Sequence, residues 1–208
     1  MNYHNLKEEV YETTMKLVSI DLIRLSAGNI SARTPDGNMA ITPSGLLYDK
    51  LTPEDIVITD LQGQLIEGEL KPSSEFQLHA EIYKAKPETK GIIHTHSKYA
   101  IAFSSARMEI PVSSIEILSV GGPIPVTPYF IPGSLDIALS AANYFTENPR
   151  LKAVLLQNHG MVAIGDSLNN AFQNAYKTET GAEIYYIALQ LAKDIHVLSA
   201  EQVDQVLA

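Results

Sequence analysis

The chain has 208 residues, 45% hydrophobic and 19% charged, enough to bury a compact core within one unit. Its formal net charge of −9 and pI of about 5.1 argue against nucleic acid as the principal partner. There is no cysteine, so disulfides, thiolate nucleophiles and Cys-based zinc sites are excluded; a metal site must be built from His, Asp or Glu.

No apolar run approaches the ~20 residues that a membrane span needs. The opening stretch MNYHNLKEEVYETT has neither a basic n-region nor an apolar h-region, so a cytoplasmic protein without a signal peptide is expected. No repeat, low-complexity tract or long polar linker divides residues 1–208, which read as one domain.

In chain order, Leu6, Val10, Leu17, Val18 and Leu22 recur at near-helical spacing and predict a helix over residues 4–25. Gly28 and Asn29 mark a turn in AGNISAR, and MAITPSG reads as a strand entering a Pro-Ser-Gly loop. DIVITDLQGQLIEG reads as strand, turn, strand. KPSSEFQLHAEIYKAKP predicts a helix, with Ser74 and Gln77 matching a capping box and Pro87 beyond its end.

GIIHTH is a strand and SKYAIAFSSA a helix. IPVSSIEILSVGGPIPVTPY reads as two strands around Gly121-Gly122, and SLDIALSAANYFTENP as a helix. KAVLLQNHGMVAIG is strand, tight turn, strand. A long helix follows, with Gly181 a weak point, and a short helix after Ser199 ends the chain. Strand pairs joined by short turns favour a mixed, mostly antiparallel sheet covered by helices.

The chemistry gathers at strand ends. His94 and His96 are two residues apart, so a strand would turn both imidazoles to one face. Zinc accepts His nitrogen at about 2.0–2.1 Å and often takes three protein ligands in catalytic sites. His159 again follows an apolar strand and precedes Gly160. An H-x-H pair is also compatible with a purely structural role. His4 and His196 read as surface residues; His79 shares a helix face with Glu75 and reads as a core-edge histidine that could support a site.

PSSE (residues 72–75) places two hydroxyls and a carboxylate at a helix start. That position attracts phosphate, although Ser73 and Ser74 could merely cap the helix. TPSG and AGNIS are similar donor-rich loops. Glu75 reads as a first-turn residue, a fourth metal ligand or a base.

Together AGNISAR, ITPSGLLYDKL, PSSE, HTHS and LLQNHG resemble, in order and spacing, the class II aldolase/adducin family, particularly its L-fuculose-1-phosphate aldolase branch. The resemblance spans nearly the whole chain. It implies a three-layer α/β/α fold and a homotetramer with active sites at subunit interfaces. It also implies one Zn²⁺ per subunit, held by His94, His96, His159 and Glu75, with Glu75 serving as acid/base. Gly28, Asn29, Ser44, Gly45, Ser73 and Ser74 match the family's phosphate-binding loops.

The expected reaction is reversible cleavage of a ketose 1-phosphate, fuculose-1-phosphate or a shorter or deoxy relative, to dihydroxyacetone phosphate and an aldehyde. Where that branch carries a catalytic tyrosine, this chain offers Glu116 if a shorter hairpin is allowed, or Ile115 without a gap. Glu116 is either a catalytic group or a solvent-facing strand residue. Because methylthioribulose-1-phosphate dehydratases carry a glutamate at a similar point, a dehydratase, 4-epimerase or decarboxylase acting on a phosphorylated sugar is the alternative. The chain stops at VDQVLA, short of the tail that supplies a further tyrosine in that branch. Adducin-type domains use this fold for assembly, but here the three histidines and the carboxylate are all retained.

Overall fold

The structure, a computed structural model, describes residues 3–207. It opens on α1 (His4–Ser19), whose Val10 and Leu17 are buried. The helix stops at Ser19 instead of continuing to residue 25. Asp21 and Leu25 adopt left-handed backbone angles, φ 62° and 56°, through which a right-handed helix cannot run. Then β1 (Asn29–Arg33), β2 (Met39–Ile41), β3 (Val57–Thr59) and β4 (Leu65–Glu67) pair successively as an antiparallel meander.

The remaining elements are α2 (Phe76–Ala85), β5 (Gly91–Thr95), α3 (Lys98–Ala106), α4 (Ile115–Ser119), β6 (Val126–Thr127), α5 (Leu135–Glu147), β7 (Ala153–Leu156), β8 (Gly160–Gly165), α6 (Leu168–Leu191) and α7 (Ala200–Leu207). The sheet order is β4-β3-β2-β1-β5-β8-β7-β6. Every pairing is antiparallel except β6 with β7. This is the mixed, mostly antiparallel sheet that the sequence predicts.

Helices cover both faces and make three layers. Ser31 and Arg33 of β1 reach α2, which packs on α5. On the opposite face a Cβ at Gly91 would lie 2.5 Å from the Leu168 backbone at the start of α6, and α1 and α3 share that side with α6. All residues of β5, β7 and β8 are buried, as their unbroken apolar runs require in a sheet covered on both faces.

Two local expectations fail. The segment before Gly121-Gly122 is not a strand: residues 115–119 form α4, and only an isolated bridge joins Ile110 to Ile124. The cause is tertiary. Ile117 and Leu118 are both buried, and Ile117 packs where Gly181 leaves α6 without a side chain. A Cβ at Gly181 would lie 2.3 Å from Ile117 Cδ1, so this glycine serves packing and α6 runs through it unbroken.

The expected Ser74–Gln77 capping box is also absent. Glu75 is the N-cap, and the backbone N–H of Glu75 donates to Ser73 Oγ at 3.2 Å. Ser74 stays in the preceding loop, which lines a cavity.

Candidate functional site

The centre of the site is built on β5 and the β7–β8 turn. β5 pairs with β8 so that His94 faces Val162 and Thr95 faces Met161. His94 thereby points to the α2 side of the sheet, and His96 follows just past the strand end. Asn158 at φ 57° turns the chain between β7 and β8, and presents His159 to the same spot. Gly160 is required there because a Cβ would lie 2.2 Å from the Thr95 carbonyl oxygen. The three rings sit 4.7, 4.8 and 4.9 Å apart, centroid to centroid.

Glu75 completes the group. Its Oε2 is 3.2 Å from His94 Nε2, and its Oε1 is 3.2 Å from His159 Nε2. His96 Nε2 lies 3.0 Å from His94 Nε2. His94 Nδ1 is 2.8 Å from the Met161 carbonyl oxygen, which can only accept. Nδ1 therefore carries a hydrogen, which leaves Nε2 as the nitrogen offered to a cation at the centre.

Four ligand atoms, one from each residue, lie within 4.8 Å of one another. A tetrahedral ion with bonds of about 2.0 Å has ligand-to-ligand edges of about 3.3 Å, close to the 3.0 and 3.2 Å separations. Glu75 Oε1, buried without a hydrogen-bond donor, is a further sign that these residues fit a cation.

The electrostatics agree. Burial and repulsion from His94 push His96 and His159 down to about 4, so both stay neutral and able to ligate near pH 7. Burial opposes the charge on Glu75. His94, His159 and an N–H from Asn29 outweigh it and hold the carboxyl well below its usual range.

Beside this cluster opens a cavity of about 340 Å³ lined by Gly28, Asn29, Ser44, Gly45, Ser73, Ser74, Glu75, His96 and His159, with Ser26, Ala27, Pro43 and Pro132. Every loop residue that the resemblance marks for phosphate therefore lines this one cavity. The loops are knitted together by backbone bonds. Ser73 N donates to Thr42 O at 3.1 Å, Ser44 N donates to Lys71 O at 2.9 Å, and Pro43 bridges Pro72. Gly28 needs its left-handed φ of 83°, and a Cβ there would stand 2.6 Å from His94 O.

Sequence reasoning missed two supports, Tyr48 and the loop before α5. Tyr48 Oη donates to Gly28 O at 2.6 Å and anchors that loop. Tyr48 belongs to ITPSGLLYDKL, where no local pattern gives it a role. Pro132, in the loop before α5, lines the cavity, and a Cβ at the adjacent Gly133 would lie 3.1 Å from the Ser74 carbonyl oxygen; no local pattern marks either. His79, read as a core-edge histidine, is fully buried and bonded to Asn29 and Ser31.

Glu116 is not brought to the cavity by its own chain. It is half-buried in the first turn of α4, on the side of Gly181.

The comparisons with known proteins agree with this geometry. Residues 8–186 match the model of the class II aldolase and adducin N-terminal domain. The chain is 38% identical over 181 residues to a 5-deoxy-D-ribulose 1-phosphate aldolase of Bacillus thuringiensis serovar kurstaki, covering 86% of this chain and 84% of that one. It is 34% identical over 208 residues to the L-fuculose phosphate aldolase of Escherichia coli K12, covering 100% of this chain and 94% of the other. A solved L-fuculose 1-phosphate aldolase superposes with a TM-score of 0.90 at 34% identity, covering 97% of this chain and 93% of its own. The family-model match, the full-length identity and the shared fold place the chain in the class II aldolase and adducin family.

Proposed function

We propose that the protein is a zinc-dependent aldolase that reversibly cleaves a short ketose 1-phosphate to dihydroxyacetone phosphate and an aldehyde. The observation that carries this reading is the cavity of about 340 Å³, which joins three small-residue loops to Glu75, His96 and His159. Its size suits a single phosphorylated sugar.

On a chain of net charge −9, a phosphate needs concentrated local donors. The hydroxyls of Ser44, Ser73 and Ser74, with the open backbone at Gly28 and Gly45, supply them. Docking the phosphate there leaves the C2 and C3 oxygens toward the histidine–carboxylate cluster.

When bound by Glu75, His94, His96 and His159, Zn²⁺ would supply Lewis-acid stabilisation for the negative charge that cleavage produces. As the C3–C4 bond breaks, its electron pair passes into an enediolate, and the C4 hydroxyl loses its proton to become the aldehyde oxygen. Glu75, displaced from the histidines as the sugar oxygens arrive and protonated by water, delivers that proton to C3 and completes dihydroxyacetone phosphate; run backwards, it removes it. General acid/base transfer of this kind contributes roughly 10²–10⁴-fold.

The C4 hydroxyl needs its own base. We assign it to Glu116 of a neighbouring copy in a homotetramer, because the chain's own Glu116 does not reach the cavity. Ile115, Ile184, Ile187 and Leu191, exposed on α4 and α6, provide an apolar surface for that assembly. Glu116, which falls near the tyrosine of the fuculose-phosphate branch if a shorter hairpin is allowed, also favours the second reading: dehydration, 4-epimerisation or decarboxylation at the same site.

The test is to incubate zinc-loaded protein with fuculose-1-phosphate, ribulose-1-phosphate and 5-deoxyribulose-1-phosphate. Release of dihydroxyacetone phosphate from one of them is expected. Absence from all three, with a product lighter by water or CO₂ instead, would replace the aldolase with the second reading. Glu116→Gln is expected to keep the metal and depress turnover.

A further inference from the structure

Beneath the site lies a buried row of polar groups, of which the chemistry above uses only the last, Glu75, and the cavity only Asn29. Tyr83 Oη is 2.9 Å from Ser31 Oγ, and Ser31 Oγ is 2.6 Å from His79 Nδ1. His79 Nε2 is 2.5 Å from Asn29 Oδ1, and Asn29 Nδ2 is 3.0 Å from Glu75 Oε2. Ser31, His79 and Tyr83 are wholly buried. The row therefore runs from the core between β1 and α2 to the carboxylate that meets the histidines.

Its direction is determined by its end. A carboxylate only accepts, so Asn29 must turn its NH₂ to Glu75 and its carbonyl to His79. That carbonyl in turn needs the hydrogen on His79 Nε2. The bare Nδ1 accepts from Ser31, whose oxygen accepts from Tyr83. Reversing any one bond would set two acceptors face to face in a dry interior, at a cost of roughly 1–3 kcal/mol for each group left unpaired. Burial pushes His79 down to about 3, consistent with a neutral ring with one hydrogen. The carboxamide in the middle cannot pass a proton along as an imidazole would, so the row orients groups and does not conduct protons.

We infer that His79, Ser31 and Tyr83 are positioning residues that, through a one-way chain of hydrogen bonds, hold the Asn29 amide with its N–H on Glu75 and so hold the Glu75 carboxylate on the three histidines. Asn29 also lines the cavity, and its second amide hydrogen is free to meet a ligand there. The row thus ties the carboxylate to the anion-binding loop: displacement of one is felt by the other.

This rests on the metal-site part of the proposed function and not on the choice of sugar, and its test needs no sugar phosphate. In ¹⁵N-histidine NMR of the metal-free full chain, His79 is expected to carry its hydrogen on Nε2. In Co²⁺ titrations followed by visible absorption, His79→Leu is expected to weaken Co²⁺ binding by roughly 10–100-fold and to alter the spectrum. His79→Gln, which keeps a donor and an acceptor, is expected to recover most of the loss.

Should His79→Leu fail to fold, Ser31→Ala serves instead: it is expected to mix the His79 tautomers and weaken Co²⁺ binding less severely. A hydrogen on Nδ1 in the parent, parental Co²⁺ affinity and spectrum in the Leu or Ala variant, or a Gln variant as weak as Leu would each overturn the inference. If the parent itself binds no Co²⁺, the metal reading fails, while the tautomer still tests the chain.

Discussion

Gly160→Ala tests the link between the strand ladder and the metal centre. The added methyl would stand 2.2 Å from the Thr95 carbonyl oxygen and 3.2 Å from His94 Cε1. Ordinary contact begins near 3.4 Å, so β8 and β5 must part locally by about 1 Å, more than any side-chain adjustment can absorb because the obstacle is backbone. The strain of such an insertion is typically about 1–3 kcal/mol.

Its effect on the site is larger. His159 precedes Gly160, and His94 and His96 flank Thr95, so the same displacement separates one ligand from the other two. Metal bonds tolerate about 0.2 Å; a shift of about 1 Å takes His159 out of the set, and with it at least about 100-fold in affinity. The assay is zinc affinity and stoichiometry, with thermal unfolding in EDTA and in excess zinc. The control is Gly37→Ala, whose Cβ meets nothing within 4 Å but whose φ of 88° strains any side chain, away from the site. It should lower Tm without touching zinc binding. If Gly160→Ala binds zinc as the parent does and gains as much Tm from it, the derivation of the site from the β5–β8 ladder is wrong.

Three more outcomes are expected. Glu75→Gln keeps the shape of the carboxylate but not its proton chemistry, and should lower kcat by roughly 10²–10⁴-fold; dihydroxyacetone phosphate release measures it, and an unchanged kcat would remove Glu75 from the acid/base role. Metal-free protein should lose stability as pH falls from about 6.5 toward 4. The folded state keeps His96 and His159 neutral down to about 4, while the unfolded chain takes up protons from 6.5, and protonation of Glu75 in the unfolded state adds to the loss below about 4.5. A Tm that is flat between pH 7 and 5 would contradict that burial. Finally, Glu179 of α6 accepts from Tyr99 N and Ala100 N at 2.8 and 2.9 Å, capping α3 from outside. Glu179→Ala should cost about 1–3 kcal/mol in denaturant unfolding with zinc affinity unchanged.

Much of this protein is legible in one dimension. The apolar runs of β5, β7 and β8 announce buried strands, because a sheet covered on both faces demands unbroken hydrophobicity. Period two places His94 on one side of its strand, and glycines next to Asn29 and His159 mark the tight turns. The pairing of donor-rich loops with strand-end histidines points to an anion beside a cation before any coordinate is known.

Other features depend on contacts remote in sequence. Residues 115–119 carry strand-like isoleucines, yet they coil because Ile117 has a notch waiting at Gly181, about 65 positions on. Ser74 and Gln77 have the spelling of a capping box, yet the loop is bound to Thr42 and leaves its serine to the cavity. The row from Tyr83 to Glu75 links residues from β1 and α2 that no local period relates.

Sequence by itself determined which side chains could do the chemistry, since residue type and local spacing are properties of the chain. Only the tertiary structure decided which of them meet, how the Asn29 amide is turned, and that Glu116 lies outside its own cavity. Those outcomes depend on packing and on hydrogen-bond direction in a dry interior, where a partner's identity is known only once the fold has brought it within 3 Å.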